Sequence, residues 1–580
     1  MSVPDRSAAP ASAGGMRTAT LIAVCVGVCL AQLAIAMPAT LSGALQQNLH
    51  LTGSQVTWVT DVLLLPITVL ELTFGVLGDL FGRKRLLTGG AALLAVGELI
   101  SALAHDSTPL LAGQLLSGIA AAAIFPSTLA MVAAGTSTLR ERARGIAVWG
   151  AAMAIGGGLA PLLGGLTATY GSLPLSFYSV AALAVIGVII SRFAQDSNAP
   201  QGRSLDWAGQ VTIVIGLSAL LYGVIQGPSD GWSSPRVVTA FVTAAVFLVL
   251  FLFAESRVRS PLLQLGLFRN RDFAAVSVVG VVGMFSFLGF AYATSFRLGV
   301  IQHLSPILLA VPFLAANGVM VVQAPVTARL LERARPRVVL CGGALLIAVG
   351  AFWMAALSIT NRSVVAVLAP QIIVGVGAAL LIASISAVAV NSVPAHLAGM
   401  ASGAISMLRD LGLTLGPAIV GAVALSRASS LFGRHLEDSA LPPGLKAAAG
   451  AVAQAGGPLA VNSVPPNSPP GQAAPIAMAA LGSGYSLGFA VCGVAAVIAG
   501  LLAVVTLRGA SRVAGADIPS PAETAVGPAG QEAGATGSVD IPSPAGSVDL
   551  PSPAETSIGP AGQEAGATGS RERDVASEGR

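Results

Sequence analysis

The sequence predicts an all-α polytopic membrane protein with fourteen transmembrane helices. Three observations point there. Only 10% of the 580 residues are charged, against 54% hydrophobic, with a mean hydropathy of +0.80. Apolar runs of spanning length recur almost end to end, and the basic residues fall in short clusters between them. Soluble domains carry about 25% charged residues because their surfaces face water. A chain this long with so few charges must have lipid as its main solvent.

A helix needs about 20 apolar residues to cross the hydrocarbon core. Such runs lie near 18–41, 56–77, 86–105, 109–134, 143–168 and 175–194, giving a first six-helix set. An additional pair follows near 207–227 and 237–255. Six more lie near 273–296, 305–328, 337–358, 364–390, 400–425 and 485–507. Ala34-Ile35-Ala36 resembles a leader cleavage site, but the run before it exceeds the roughly 7–15 apolar residues of a signal peptide. The first run is therefore read as a retained span.

The expected organisation follows from these runs. Residues 1–17 form a disordered cytoplasmic N-terminus and 18–194 the first bundle. Residues 195–272 form a linker carrying the two extra helices. Residues 273–507 form the second bundle, with a long outer loop at 426–484 rich in Ala, Gly and Pro. The tail 508–580 is low-complexity, and DIPSPAETAVGPAGQEAGATGS from Asp517 recurs in near-copy from Asp549. Such composition cannot bury a core and reads as a disordered cytoplasmic segment.

Basic residues concentrate on the cytoplasmic side of membrane proteins. With the N-terminus inside, 23 of the 30 Lys and Arg fall inside and six outside, while Arg409 lies within a span. The six are Arg236, Arg297, Arg362, Arg427, Arg434 and Lys446. An odd number of helices would destroy this bias. The reading places the protein in the cell membrane with both termini cytoplasmic.

Several classes are disfavoured. The cysteines Cys25, Cys29, Cys341 and Cys492 all sit inside apolar stretches and form no C-x-x-C pair, so disulfide and zinc readings lack support. There is no G-x-x-x-x-G-K-S/T and no H-E-x-x-H, and the five histidines are dispersed. No nucleotide motor, metal site, cofactor or enzyme activity is expected. The scattered basic clusters do not suggest nucleic acid, and no obligate protein partner is implied.

Two segments carry specific signals. After the second span comes Gly75-Val-Leu-Gly-Asp-Leu-Phe-Gly-Arg-Lys-Arg85. Gly75, Gly78 and Gly82 permit a tight turn and close helix approach. Asp79 can accept charge-assisted hydrogen bonds from a basic group or a helix N-terminus, and Arg83, Lys84 and Arg85 anchor the inner face. In the fifth span, Gly156-Gly-Gly-Leu-Ala-Pro-Leu-Leu-Gly-Gly165 combines a helix-bending Pro161 with small residues for close packing.

The first segment resembles the loop between helices two and three of the major facilitator superfamily, G-x-L-x-D-R-x-G-R-R/K, with Leu80 in place of Arg. Arg329-Leu-Leu-Glu-Arg-Ala-Arg-Pro-Arg337 is a weaker echo in the second half. The second segment is similar to the family's antiporter motif G-P-x-x-G-G, with Ala160 for its first Gly, then Pro161, Gly164 and Gly165. Trp58-Val-Thr-Asp61, Pro126-Ser-Thr-Leu129, Pro261-Leu-Leu-Gln-Leu-Gly-Leu-Phe268 and Leu408-Arg-Asp-Leu-Gly412 resemble signatures of its fourteen-helix drug:proton antiporters. Across about 18–507, the resemblance implies two pseudo-symmetric six-helix bundles plus two central helices, and efflux of amphipathic or cationic organic compounds.

Departures from that pattern matter. The subfamily's helix-one Asp, nine residues before the Pro of A-L-P, falls here on Cys29, counted from Pro38. Its helix-four Arg, four residues before Gly118, falls on Gln114. What remains for proton or substrate handling is Asp61 and Glu71 on the second span, Glu98 on the third, and Asp410 beside Arg409 on the thirteenth. A carboxylate near a helix centre costs on the order of 2.5–3.5 kcal/mol, so these acids should line a cavity or pair rather than face lipid. Asp61 lies toward the outer end, where a wetted or interhelical contact is the plain alternative. Arg409 and Asp410 point about 100° apart on an ideal helix and need not neutralise each other. Glu71 and Glu98 either replace the lost acid or bond a neighbouring helix. The expected partners are the lipid bilayer, a small-molecule substrate and protons. The alternatives are a proton-uncoupled facilitator and a non-transporting sensor or scaffold.

Overall fold

The computed structural model describes residues 16–136, 138–198, 205–258, 261–393 and 398–507. The expected disorder of the N-terminus up to residue 15 and of the repeat-containing tail lies outside the described residues.

Sixteen α-helices follow one another among them. The first bundle contains α1 (Thr18–Leu49), α2 (Gly53–Phe81), α3 (Arg83–Ala102), α4 (Ser107–Ala134), α5 (Leu139–Tyr170) and α6 (Leu173–Ser191). The extra pair is α7 (Trp207–Asp230) and α8 (Pro235–Arg257). The second bundle opens with α9 (Arg271–Ser295), α10 (Pro306–Val322) and α11 (Ala324–Arg333). It continues with α12 (Pro336–Ala356), α13 (Val364–Asn391), α14 (Ala398–Glu437), α15 (Pro443–Ser463) and α16 (Ala474–Thr506). Among the described residues thirteen helices are long and apolar enough to cross a bilayer, and α10 with α11, bent by 45°, pass the same test only when taken together. The chain is a multi-pass membrane protein.

Helix starts carry the expected chemistry. Thr52 with Gln55 and Thr138 with Glu141 form capping boxes on α2 and α5, while Asp206 and Asn270 cap α7 and α9. Each satisfies backbone N–H groups that the first turn leaves open. The helices are not amphipathic in the soluble sense. Small residues such as Ala120, Ala121 and Ala160 are buried between helices, whereas Val242, Val249 and Phe253 of α8 face outward, as lipid contact requires.

Within the first bundle α1 packs on α5 and α4, and α3 on α4 and α6. Within the second, α9 packs on α14 and α16, and α12 on α13 and α16. The bundles meet where α5 crosses α10 and α2 crosses α14, and α7 leans on both α2 and α14. We call the end where α2 turns into α3 the basic end, and its opposite the far end.

Three expectations need correction. The first span does not stop at 41 but continues to Leu49, and the thirteenth runs beyond 425 to Glu437. Polar residues extend both helices, because a helix leaving the bilayer still satisfies its own backbone. The outer segment 426–484 also holds α15 and a short turn at Pro470–Ala473, so it is a largely helical cap. Arg297, assigned to a loop by its charge, is 1% exposed. It lies in a π-helical turn, Phe296–Ile301, and donates to the Leu357 and Ser358 carbonyls at 2.8 and 2.5 Å.

Candidate functional site

A cavity lies between the bundles, walled by α1, α2, α5, α9 and α10. Its surface is mostly apolar, with Ile35, Leu64, Phe287, Phe296 and Phe313 among the walls. Gln32, Thr40, Ser42, Thr60, Tyr292, Ser295 and Asn317 supply the polar groups. No charged side chain among the described residues lines it. Such concave, apolar sites with a few placed polar groups are the usual form of a small-molecule pocket.

Contacts between the bundles gather at the far end. Gly43 of α1 meets Gly299 so closely that a Cβ on Gly43 would lie 2.2 Å from the Gly299 carbonyl oxygen. Ser42 and Ser295 share a hydroxyl hydrogen bond of 2.7 Å, and Ser295 donates to the Ala39 carbonyl. Gln47 bonds His303 at 2.8 Å, Asn462 of α15 reaches the Ile301 carbonyl, and Gln46 donates to Ser463. Thr57 bonds Tyr292 at 2.6 Å, and Phe296 stacks on Tyr485 at 4.5 Å. These contacts seal the cavity from the far end.

The sequence-selected acids separate into three settings. Glu71 of α2 and Asp410 of α14 lie within electrostatic reach of each other across the bundle interface, and Arg409 interacts with both. Arg409 Nε lies 3.3 Å from Asp410 Oδ1. The two adjacent side chains therefore converge, and the expected divergence does not hold. One turn toward the far end, Thr68 and Thr414 bond at 2.7 Å. Asp61 is 0% exposed and neither carboxylate oxygen has a hydrogen-bond partner. It lies within electrostatic reach of the Tyr292 hydroxyl and is not among the described residues that line the cavity. Glu98 accepts from Ser117 at 2.9 Å, and Gln114 donates to Ser101 at 3.0 Å. Both belong to the interface of α3 with α4, away from the cavity.

The loop motif works within itself. Arg83 donates to Asp79 at 2.7 Å and to the Ala130 carbonyl of α4 at 3.1 Å. Gly82 has φ of +103°, a conformation that L side chains avoid, and a Cβ there would lie 2.8 Å from Asp196. The Lys84 backbone N–H donates to that same Asp196 and its ammonium to the Arg192 carbonyl, whereas Arg85 is exposed. Gly75 and Gly78 face Pro126 and Ser127 of α4. The turn thus ties α2, α3, α4 and the segment after α6 together.

The antiporter-like segment of α5 has two faces. Gly156 and Gly164 lie against Cys29 and Met37 of α1, and Gly157 and Gly165 against Asn317 and Ala310 of α10. Ala160 is fully buried and Pro161 reaches the cavity wall. Gly118 of α4 lies against the Leu63 carbonyl of α2.

Sequence reasoning passed over Gln32, Thr40, Tyr292, Asn317 and Gln210. Their signal was a lone polar side chain inside an apolar run. Gln210 of α7 donates to the Val69 carbonyl at 2.8 Å and accepts from Thr73, gripping the turn of α2 that carries Glu71.

A sequence profile of the Major Facilitator Superfamily matches residues 22–417. The chain is 30% identical over 517 residues to the tetracenomycin C resistance and export protein of Streptomyces glaucescens, covering 87% of this chain and 95% of that protein. It is 29% identical over 400 residues to the multidrug resistance protein Stp of Mycobacterium tuberculosis, covering 69% and 74%. Among solved structures it is similar to a peptide transporter POT in complex with sulfate, with a TM-score of 0.58 at 15% identity, over 85% of this chain and 96% of that one. A bacterial homologue of the lysosomal transporter Spinster gives 0.57 at 16% identity, over 86% and 98%.

Proposed function

We propose that this chain, which belongs to the major facilitator superfamily, is an efflux transporter that exports small amphipathic organic compounds in exchange for protons. Export is supported by relatives whose names denote resistance to, or export of, tetracenomycin C, methylenomycin A and multiple drugs. In this reading the basic end faces the cytoplasm, as the distribution of Lys and Arg requires. The α1–α6 bundle rocks against the α9–α16 bundle about the central cavity.

The observation that carries proton exchange is the Glu71–Asp410 pair at the crossing of α2 and α14. Two buried carboxyl groups within electrostatic reach of each other resist being ionised together, so the pair is suited to hold one proton. Rocking changes the water access of that crossing, so the shared proton is taken up on one side and released on the other. Arg409 balances the charge that remains when the proton leaves. This arrangement does the work that the family pattern gives to the positions held here by Cys29 and Gln114.

The test is flux by the purified protein in liposomes with an imposed pH gradient, using neutral and cationic fluorescent aromatic probes. Gradient-driven accumulation that disappears in Glu71→Gln and Asp410→Asn bears the reading out. Flux indifferent to the gradient establishes the facilitator that the missing Asp and Arg would favour. Binding without flux establishes a sensor.

A further inference from the structure

The chemistry of the cavity wall says which compounds fit. We propose that the transported molecules are uncharged, oxygen-bearing aromatic compounds whose rings lie against Phe287 and Phe313 and whose polar edge meets Thr40, Gln32 and Asn317. The inference rests on the export reading and narrows it.

Charge complementarity comes first. None of the described wall residues is acidic, and Asp61, which interacts electrostatically with the wall residue Tyr292, does not itself line the cavity. A cation entering would lose its hydration shell and gain no counter-charge, a cost that grows with burial. Aromatic faces offer cations some compensation, but two of the rings are already engaged. Phe296 is stacked on Tyr485, and the Tyr292 hydroxyl is bonded to Thr57. An uncharged ring system bears no such cost and gains from stacking on the remaining apolar walls.

The polar edge is equally specific. Thr40 is 1% exposed, lines the cavity, and its hydroxyl has no hydrogen-bond partner. A buried hydroxyl is normally satisfied, so this one is placed for a ligand atom. Asn317 donates its Nδ2 to the Phe313 carbonyl at 2.9 Å, which turns its Oδ1 toward α5. There Gly157 leaves a gap. A Cβ at that position would stand 3.0 Å from Asn317 Oδ1 and 3.6 Å from Gln32 Cγ. Amides from α1 and α10 thus converge over a residue without a side chain. One hydroxyl and two amides offer donors and acceptors to phenol and carbonyl oxygens, and none of them pairs with a fixed charge.

The purified full chain is titrated in detergent with 1,8-dihydroxyanthraquinone, which is neutral, and with N-methylacridinium, a permanent cation with a similar three-ring outline. The neutral probe is expected to bind at least about tenfold more tightly, a difference of about 1.4 kcal/mol. Thr40→Val and Asn317→Leu are each expected to weaken it by about three- to tenfold, with an unchanged thermal unfolding midpoint. Thr40→Ser, which keeps the hydroxyl, restores binding. Equal or tighter binding of the cation overturns the proposal, as does failure of the neutral probe to bind. Flux in liposomes is read separately. Neutral binding that persists without gradient-driven flux sinks the export reading and leaves this ligand class standing.

Discussion

Glu71 of α2 and Asp410 of α14 stand within electrostatic reach of each other where the two six-helix bundles cross. They come from opposite halves of the chain, so any motion of one bundle against the other acts on the contact. Replacing either acid by its amide keeps shape and hydrogen bonding but removes the titratable proton. Glu71→Gln and Asp410→Asn are each expected to abolish accumulation driven by a pH gradient, while probe binding changes by less than about threefold. Glu98→Gln, which alters an acid bonded only within α3 and α4, is expected to leave gradient-driven transport intact. Parallel flux and binding measurements on the three variants check this.

Gln210 gives the additional helix pair a stated task. Its amide grips α2 at Val69 and Thr73, on the side turned from Glu71. Gln210→Leu strands buried polar partners, a loss of about 1–3 kcal/mol. The pH profile of transport is expected to shift along with stability, whereas a purely structural role would lower stability alone. Profiles for Gln210→Leu and Gln210→Glu separate the two.

The seal at the far end depends on a backbone approach that only glycine allows. A methyl group on Gly43 would stand 2.2 Å from the Gly299 carbonyl oxygen, whereas one on Gly89 meets nothing within 4 Å. Gly43→Ala is expected to disfavour the sealed state by about 1–3 kcal/mol, as overpacking does. Hydrogen–deuterium exchange around 39–49 and 295–303 should rise in Gly43→Ala and stay unchanged in Gly89→Ala.

The turn after α2 is expected to be fragile at one arginine and tolerant at another. Arg83 bonds both Asp79 and the Ala130 carbonyl, and Arg83→Ala should cost about 1.5–3 kcal/mol. Arg85 is exposed, and Arg85→Ala should lie within about 0.5 kcal/mol of the parent. Thermal unfolding of both variants in detergent provides the comparison.

His303, in the loop between two spans, links Gln47 to the Asn462 carbonyl. Desolvation holds its imidazole below the ordinary value, with Arg362 acting the same way and the Asn462 carbonyl opposing. For a group depressed in the folded state, protonation favours separation. The stabilisation is complete above the ordinary imidazole value of about 6.5 and is lost as pH falls through the lowered one. The stability difference between wild type and His303→Asn should shrink over that interval, and a constant difference would exclude the link.

The apolar spans were legible as helices because the bilayer acts on each segment separately. A span must be about 20 residues and apolar, and its backbone must satisfy itself. Helix ends were less legible. Gln46 and Gln47 lie beyond the first apolar run, yet they remain helical and bond the second bundle and α15. Arg297 looked like a loop residue because charge suggests water, but two main-chain carbonyls hold it in the interior.

The sequence by itself determined that the chain lives in lipid and crosses it many times, and it marked the few acids that are costly to bury, since each follows from the residue and its immediate neighbours. Only the tertiary structure decided that Glu71 comes within electrostatic reach of Asp410, that Asp61 does not line the cavity, and that none of the described wall residues is charged. Those facts arise where helices distant in the chain come together, and the energy of a buried polar group is set by what lies across the contact.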